Sequence, residues 1–168
     1  MNDFRTTPDD GTPRLHVELV PRTCFFSNLR SNLPGKVWQQ LRKDCFDLAG
    51  HRCEICGEDD SRRSLECHEI WAYDDDAHVQ SLVGLVALCR NCHRVKHMAL
   101  ARHMGWEYQA EQHFMRVNGW NRIRTMAYLE EVFELFEQRS AHPWQLDVTW
   151  LACRGVCVPD VLDRDGCA

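Results

Sequence analysis

The feature that most constrains this chain is a pair of Cys-x-x-Cys motifs, formed by Cys53 and Cys56 and by Cys89 and Cys92, with residues 57–88 between them. Paired cysteines at both ends of one segment are typical of a closed tetrahedral zinc site. Four buried free thiols are the alternative, but this double spacing rarely arises by chance. The sequence therefore predicts a structural zinc ion that contributes on the order of 10 kcal/mol to folding.

The composition favours metal binding over disulfide bonding. The chain has ten cysteines in 168 residues, but residues 1–11 contain no apolar core of the kind that a secretory signal needs. Its apolar stretches fall far short of the roughly 20 residues that span a bilayer. We therefore expect a cytoplasmic protein without a membrane segment, in which thiols stay reduced. Cys153 and Cys157 could form a redox pair or bind a metal, but no matching second pair lies nearby in the sequence, so we expect unpaired thiols. Cys167 lies in the same tail, and the sequence assigns it no role.

The overall charge and the local charge point in different directions. A net charge of -5 argues against a broad non-specific DNA-binding surface, which is usually basic overall. Basic residues nevertheless gather around the second cysteine pair, where they are candidates for contacts to nucleic-acid phosphates. These candidates are Arg90, Arg94 and Lys96.

The pattern of apolar and polar residues predicts an α+β fold. Apolar residues alternate over 15–20, which indicates a short strand that ends at Pro21. The other expected elements are a helix from Pro34 with a cap at Gly50, strands over 65–71 and 82–88, a helix that begins at 89–91, helices over 105–117 and 122–139, and a short strand over 146–151. In the middle of the chain the order is thus strand, loop, strand and helix.

The domain organisation that we expect has a small zinc-bracketed core with flanking helices. The five segments are a flexible tail over 1–13, a strand and a helix over 14–50, the core over 51–104, a helical extension over 105–151 and a loose tail over 152–168.

Three histidines form a second candidate metal site. His93 and His97 are four residues apart on a predicted helix, so they lie on one face and can chelate one ion. His68 lies on a predicted strand and can complete a set of three. A single histidine would more often be a surface or core residue. Three of them on one zinc-bracketed unit favour a second divalent metal, Mg²⁺, Mn²⁺ or Zn²⁺.

The stretches Leu65-Glu-Cys-His-Glu-Ile and Leu88-Cys-Arg-Asn-Cys-His-Arg-Val-Lys-His resemble the HNH endonuclease family, in its branch with four zinc-binding cysteines. The resemblance covers residues 52–97 and implies a ββα-metal core. It also implies a structural zinc on the four cysteines and a catalytic metal on His68, His93 and His97. The activity that it implies is metal-dependent hydrolysis of phosphodiester bonds in DNA.

Two positions depart from the family pattern. The residue after the first metal ligand is usually a histidine that acts as general base, and here it is Glu69, while the asparagine that orients the base falls near Gly84. Glu69 can act as the base if burial raises its pKa. Alternatively the register shifts by one residue, so that Cys67 is the first ligand and His68 is the base. The second reading is chemically worse, because a thiolate binds magnesium poorly.

Two functions are open at this point. One is an HNH-type endonuclease, which the three histidines favour because a purely structural domain needs only the four cysteines. The other is a catalytically inactive, zinc-stabilised HNH-like module that binds nucleic acid or a protein partner. The acidic net charge and the two departures favour the module.

Overall fold

The structure is a computed structural model, and it describes residues 11–24, 28–59 and 65–156. These residues form a mixed α+β fold with seven α-helices and one three-stranded sheet, which confirms the predicted class. In chain order the elements are a 3-10 turn Arg22–Cys24, α1 Leu29–Asn32, α2 Gly35–Leu48, β1 Glu66–Asp74, β2 Val79–Leu88, α3 Arg90–Lys96, α4 Met98–His103, α5 Glu107–Asn118, α6 Arg122–Ser140, β3 Gln145–Asp147 and α7 Thr149–Ala152.

The sheet positions the two candidate metal sites. Strands β1 and β2 form an antiparallel hairpin in which His68 is paired with Val86, and β3 joins the other side of β2 in parallel. A bulge between Ile70 and Trp71 changes the register further along β1. A single residue, Cys89, separates β2 from α3, and its side chain caps the N-terminus of α3. The open end of the hairpin and the start of α3 therefore lie side by side.

The prediction of a strand over 15–20 was wrong, although the segment is extended and its apolar side chains are buried. The backbone of this N-terminal segment bonds to helix side chains instead of to a neighbouring strand. Asn118 accepts from Leu15 N–H and donates to Leu15 C=O, both at 2.9 Å. The hydroxyl of Tyr128 accepts from Val17 N–H at 3.0 Å. The alternating pattern thus correctly marks Leu15, Val17 and Leu19 as buried, although the segment is not part of a strand ladder.

Two further predictions differ from the structure near helix ends. His97 caps the C-terminus of α3 with φ -96° and ψ 50°, and α4 begins at the next residue, so the expected single helix is two. The predicted strand over 146–151 is the short β3 followed by the helical turn α7. The chain turns there because Asp147 accepts a hydrogen bond from Thr149 N–H at 2.9 Å.

The two largest of three apolar clusters in the described residues pack the sheet against the flanking helices. The larger one joins the N-terminal segment, the base of the hairpin and helices α3 to α6, and it is centred on the fully buried Phe114. Phe114 stacks on Tyr128 with 5.2 Å between ring centroids. The smaller cluster packs Trp38 of α2 and Leu151 of α7 against Trp71 of β1. In the described part of the chain, no helix has the length and apolar character that crossing a bilayer requires.

We expect Asn118→Ala to lower the free energy of unfolding by about 2 kcal/mol, because both buried backbone groups of Leu15 lose their partner. Urea unfolding followed by circular dichroism measures the change. Gln112→Ala, at an exposed position of the same helix, is the control and should change stability by less than about 0.5 kcal/mol. Equal stability of Asn118→Ala and the wild type would show that Asn118 does not hold the N-terminal segment.

Candidate metal centre

The four paired cysteines converge on one point. They form the cysteine group, which consists of Cys53, Cys56, Cys89 and Cys92. Their sulfur atoms all lie within 4.8 Å of one another. The sulfurs of Cys56 and Cys89 are 3.7 Å apart, and two thiolates bound at about 2.3 Å to one tetrahedral zinc ion would be about 3.8 Å apart. The cysteine group can therefore hold a metal ion such as zinc.

The close spacing of the thiols shifts their pKa values in opposite directions. A hydrogen bond with Cys56 lowers the pKa of Cys53, whereas a hydrogen bond with Cys53 raises the pKa of Cys92. Four thiolates at this distance repel one another, so without a cation some of them must keep their protons. A bound metal removes that restriction and lets every sulfur act as a ligand.

Local sequence shapes the two cysteine knuckles. Gly57 closes the first knuckle with φ +72°, a conformation that favours glycine. Glu54 attaches this knuckle to the end of β2, because its N–H donates to Ala87 C=O at 3.0 Å and its carboxylate accepts from Ala87 N–H at 2.7 Å. In the second knuckle, Cys89 Sγ accepts from Cys92 N–H at 3.4 Å as the cap of α3. Both knuckles thus rest on the same end of the hairpin.

The three predicted histidines also converge and form the histidine group, which consists of His68, His93 and His97. Their ring centroids are 4.5 to 5.4 Å apart, and a ligating nitrogen of each lies within 4.8 Å of the others. The rings meet edge to face, so they do not stack. The strand β1 supplies His68, and α3 supplies the other two rings.

Burial keeps the helix histidines neutral. Burial, and to a smaller extent the charges of neighbouring imidazoles, lower the pKa of His93 to about 3 and that of His97 to about 4. A metal ligand must be an unprotonated imidazole. At neutral pH these rings therefore have a lone pair available without first losing a proton.

A residue that the sequence analysis did not single out, Glu18, contacts the histidine group. Its carboxylate lies 3.2 Å from His68 Nε2 and 3.3 Å from Lys96 Nζ, and it accepts from Trp71 N–H at 3.0 Å. Burial alone would raise the pKa of Glu18, but the hydrogen bond to His68 and the charge of Lys96 lower it to about 2. Glu18 lies on the polar side of an alternating pattern, so no sequence signal predicted its burial.

Lys96, which was expected to contact phosphate, is buried, with 2% of the residue exposed. Its ammonium group contacts Glu18 and also His16 Nε2 at 2.7 Å, so its charge compensates a buried carboxylate. Of the other two basic candidates, Arg90 is exposed at the start of α3. Arg94 is half-buried, with its guanidinium 4.4 Å from the ring centroid of Trp106.

The proposed base Glu69 lies on the opposite face of β1 from His68, because adjacent side chains of a strand alternate. Its carboxylate accepts a 2.6 Å hydrogen bond from Leu29 N–H in the first turn of α1. Burial raises the pKa of Glu69. Gly84 is paired with Ile70 across the ladder and brings no side chain to the site.

The alternative ligand Cys67 lies away from the histidine group. It packs beside Cys45 in a small apolar cluster with Ala87. Within the residues that the structure describes, the convergent ligand sets are the cysteine group and the histidine group, and the second contains His68. Cys153 is exposed at the end of α7, while Cys157 and Cys167 lie outside the described residues.

Comparison of the chain with models of protein families, with curated proteins and with solved structures finds no match. Its function therefore has to be inferred from the geometry of the two groups.

We expect the purified protein to carry a tightly bound zinc ion, and we expect Cys89→Ser to lose it. Because zinc-binding free energy is folding free energy in such a site, the variant should also melt at a lower temperature. Elemental analysis and thermal unfolding measure the two effects. Cys153→Ser removes an exposed thiol and should keep both properties unchanged. Full zinc content in Cys89→Ser would contradict the assignment.

We expect the free energy of unfolding to fall as the pH drops from 6.5 to 5, in a sample that contains one equivalent of zinc. The folded-state pKa values of His93 and His97 lie below their ordinary value of 6.5, so the unfolded chain binds more protons in this window. The lowered pKa of Glu18 changes stability only below about pH 4.5, the ordinary pKa of this side chain, because above that pH the carboxylate is ionised in both the folded and the unfolded chain.

Urea unfolding at several pH values measures this slope. His93→Gln should make it shallower, whereas His103→Gln, at an exposed position, should leave it unchanged. A stability that does not vary between pH 6.5 and 5 would show that the folded-state pKa values are not lowered.

Proposed function

We propose that this chain is a metal-dependent endonuclease of the HNH type, which hydrolyses phosphodiester bonds in DNA. The observation that carries the proposal is the convergence of His68 from β1 with His93 and His97 from α3, with ring centroids 4.5 to 5.4 Å apart. A domain that needed zinc only for stability would require only the cysteine group. Three clustered imidazoles with low basicity are costly to bury unless they bind something.

The order of the elements supports the same proposal. Strands β1 and β2 and helix α3 follow one another directly, and cysteine knuckles lie before the hairpin and at the start of the helix. This is the arrangement that a zinc-containing ββα-metal core requires. The residues that resemble the HNH family lie within this unit, at the positions where the ligands converge.

The donor set suits a divalent ion. Imidazole nitrogens bind Zn²⁺ and other transition metals well, and three ligands leave positions open for a phosphate oxygen and water. A bound ion would polarise the scissile phosphate and stabilise the leaving oxygen. In this proposal the carboxylate of Glu18 accepts a hydrogen bond from His68 Nε2. That bond holds the ring in place and leaves Nδ1 as the nitrogen that binds the metal.

Other residues of the chain have narrower roles in this proposal. Arg90 is exposed at the start of α3, three residues before His93, and in this proposal it contacts a flanking phosphate. Glu69 remains the residue at the base position, but its hydrogen bond to Leu29 N–H holds it on the other face of β1. We therefore do not assign the proton transfer to Glu69.

A second candidate function is an inactive zinc module that binds nucleic acid or a protein partner. The observation that favours it is the use of Glu69 as a contact to α1, together with the absence of a side chain at Gly84. In that case the cysteine group keeps its structural role, and the histidine group is a remnant or a second structural site.

A plasmid-nicking assay in Mg²⁺, Mn²⁺ or Zn²⁺ tests the proposal. We expect His93→Ala to abolish cleavage, because it removes a metal ligand. Glu18→Gln should lower the rate about 10- to 100-fold and raise the metal concentration needed, since it weakens the support of His68. Glu69→Gln should retain activity. His103→Ala is the control, because His103 is exposed on α4.

Each protein is assayed only after its fold and zinc content match those of the wild type. No cleavage by the folded wild-type protein with any of the three metals would reject the nuclease and favour the binding module. A loss of cleavage in Glu69→Gln as large as that in His93→Ala would return the role of general base to Glu69.

A further inference from the structure

Helix α5 brings a buried histidine against the cysteine group. His113 is 5% exposed, and its Nε2 atom lies 3.1 Å from Cys92 Sγ. It comes from outside the zinc-bracketed core and is not a member of either ligand group. The distance is that of a hydrogen bond between an imidazole and a sulfur atom.

The contact made by the second ring nitrogen of His113, Nδ1, determines which nitrogen carries the proton. Arg116 Nη2 lies 2.9 Å from His113 Nδ1. A guanidinium group has only donors and stays protonated in proteins, so Nδ1 must accept. The neutral ring then carries its proton on Nε2, the atom that faces Cys92. The hydrogen bonds therefore run in one direction, from Arg116 to His113 and from His113 to the sulfur.

The helix makes this arrangement rigid. His113 and Arg116 are three residues apart and share one face of α5. The adjacent Phe114 is fully buried in the larger apolar cluster, so the helix cannot shift without disturbing the core. His113 is consequently held at Cys92, while Arg116 reaches the surface.

We propose that His113, fixed by Arg116, is a positioning residue of the zinc site. Four thiolates around one Zn²⁺ leave an excess of negative charge, and an N–H donor reduces the charge on the sulfur that it contacts. The bond also holds Cys92 in the position of a ligand. Zinc binding and the docking of α5 are then linked, so α5 belongs to the zinc unit. This inference does not depend on nuclease activity.

Zinc release from the zinc-loaded full chain to a chromogenic chelator tests the role. His113→Phe fills the same space without a donor, and we expect about 10- to 100-fold weaker zinc retention. His113→Gln can still donate and should restore part of the loss. His103→Phe is the matched control at an exposed position. Release from His113→Phe at the wild-type rate would overturn the proposal.

A second measurement is the tautomer of His113, that is, which ring nitrogen carries the proton. A side chain that only filled space would not require one particular tautomer. Nitrogen-15 NMR of the zinc-loaded protein should show a proton on Nε2 and none on Nδ1. Arg116→Leu removes the donor at the surface, so it should admit the other tautomer and speed zinc release. If His113→Phe does not fold, Arg116→Leu decides the question alone. A proton on Nδ1 in the wild type, or unchanged release from Arg116→Leu, would reject the proposal.

Discussion

The convergence of four cysteine sulfurs at the open end of the hairpin is the constraint that links the two knuckles to the sheet and to helix α3. Sulfur atoms within 4.8 Å of one another can all ionise only around a cation. The cysteine group joins the first knuckle, the end of β2 and the start of α3, so an ion bound there would connect all three. Helix α3 starts at this point, and it leads to His93 and His97 beside His68.

Elements outside the core contact both candidate ligand groups. The N-terminal segment delivers Glu18 to His68, and α5 delivers His113 to Cys92. Both contacts are hydrogen bonds from or to a candidate ligand, and both involve a buried polar side chain. The buried charge of Glu18 is in turn compensated by Lys96. The flanking parts of the chain thus contact the cysteine group and the histidine group directly, in addition to packing on the core.

The two candidate functions share this scaffold. They differ in whether the site needs a general base, a residue that accepts a proton during hydrolysis. The proposal of catalysis depends on the convergence of the three imidazoles of the histidine group, which could hold an ion. The position where the family has a histidine base holds Glu69, whose carboxylate instead bonds to the first turn of α1. A catalyst built on this site would have to find a proton acceptor elsewhere, whereas a binding module would need none.

The sequence by itself determined the features that depend on short spacings. Cys-x-x-Cys pairs, histidines four residues apart and helical periodicity restrict geometry within a few turns of chain, so both ligand groups and most elements followed from them. Only the tertiary structure decided the burial of Lys96, the parallel pairing of β3 with β2, and the contacts of Glu18 and His113. Glu18 lies 50 residues from His68, and local pattern carries no information about which distant surfaces meet. Those contacts arise from the packing of whole elements around the metal-binding unit.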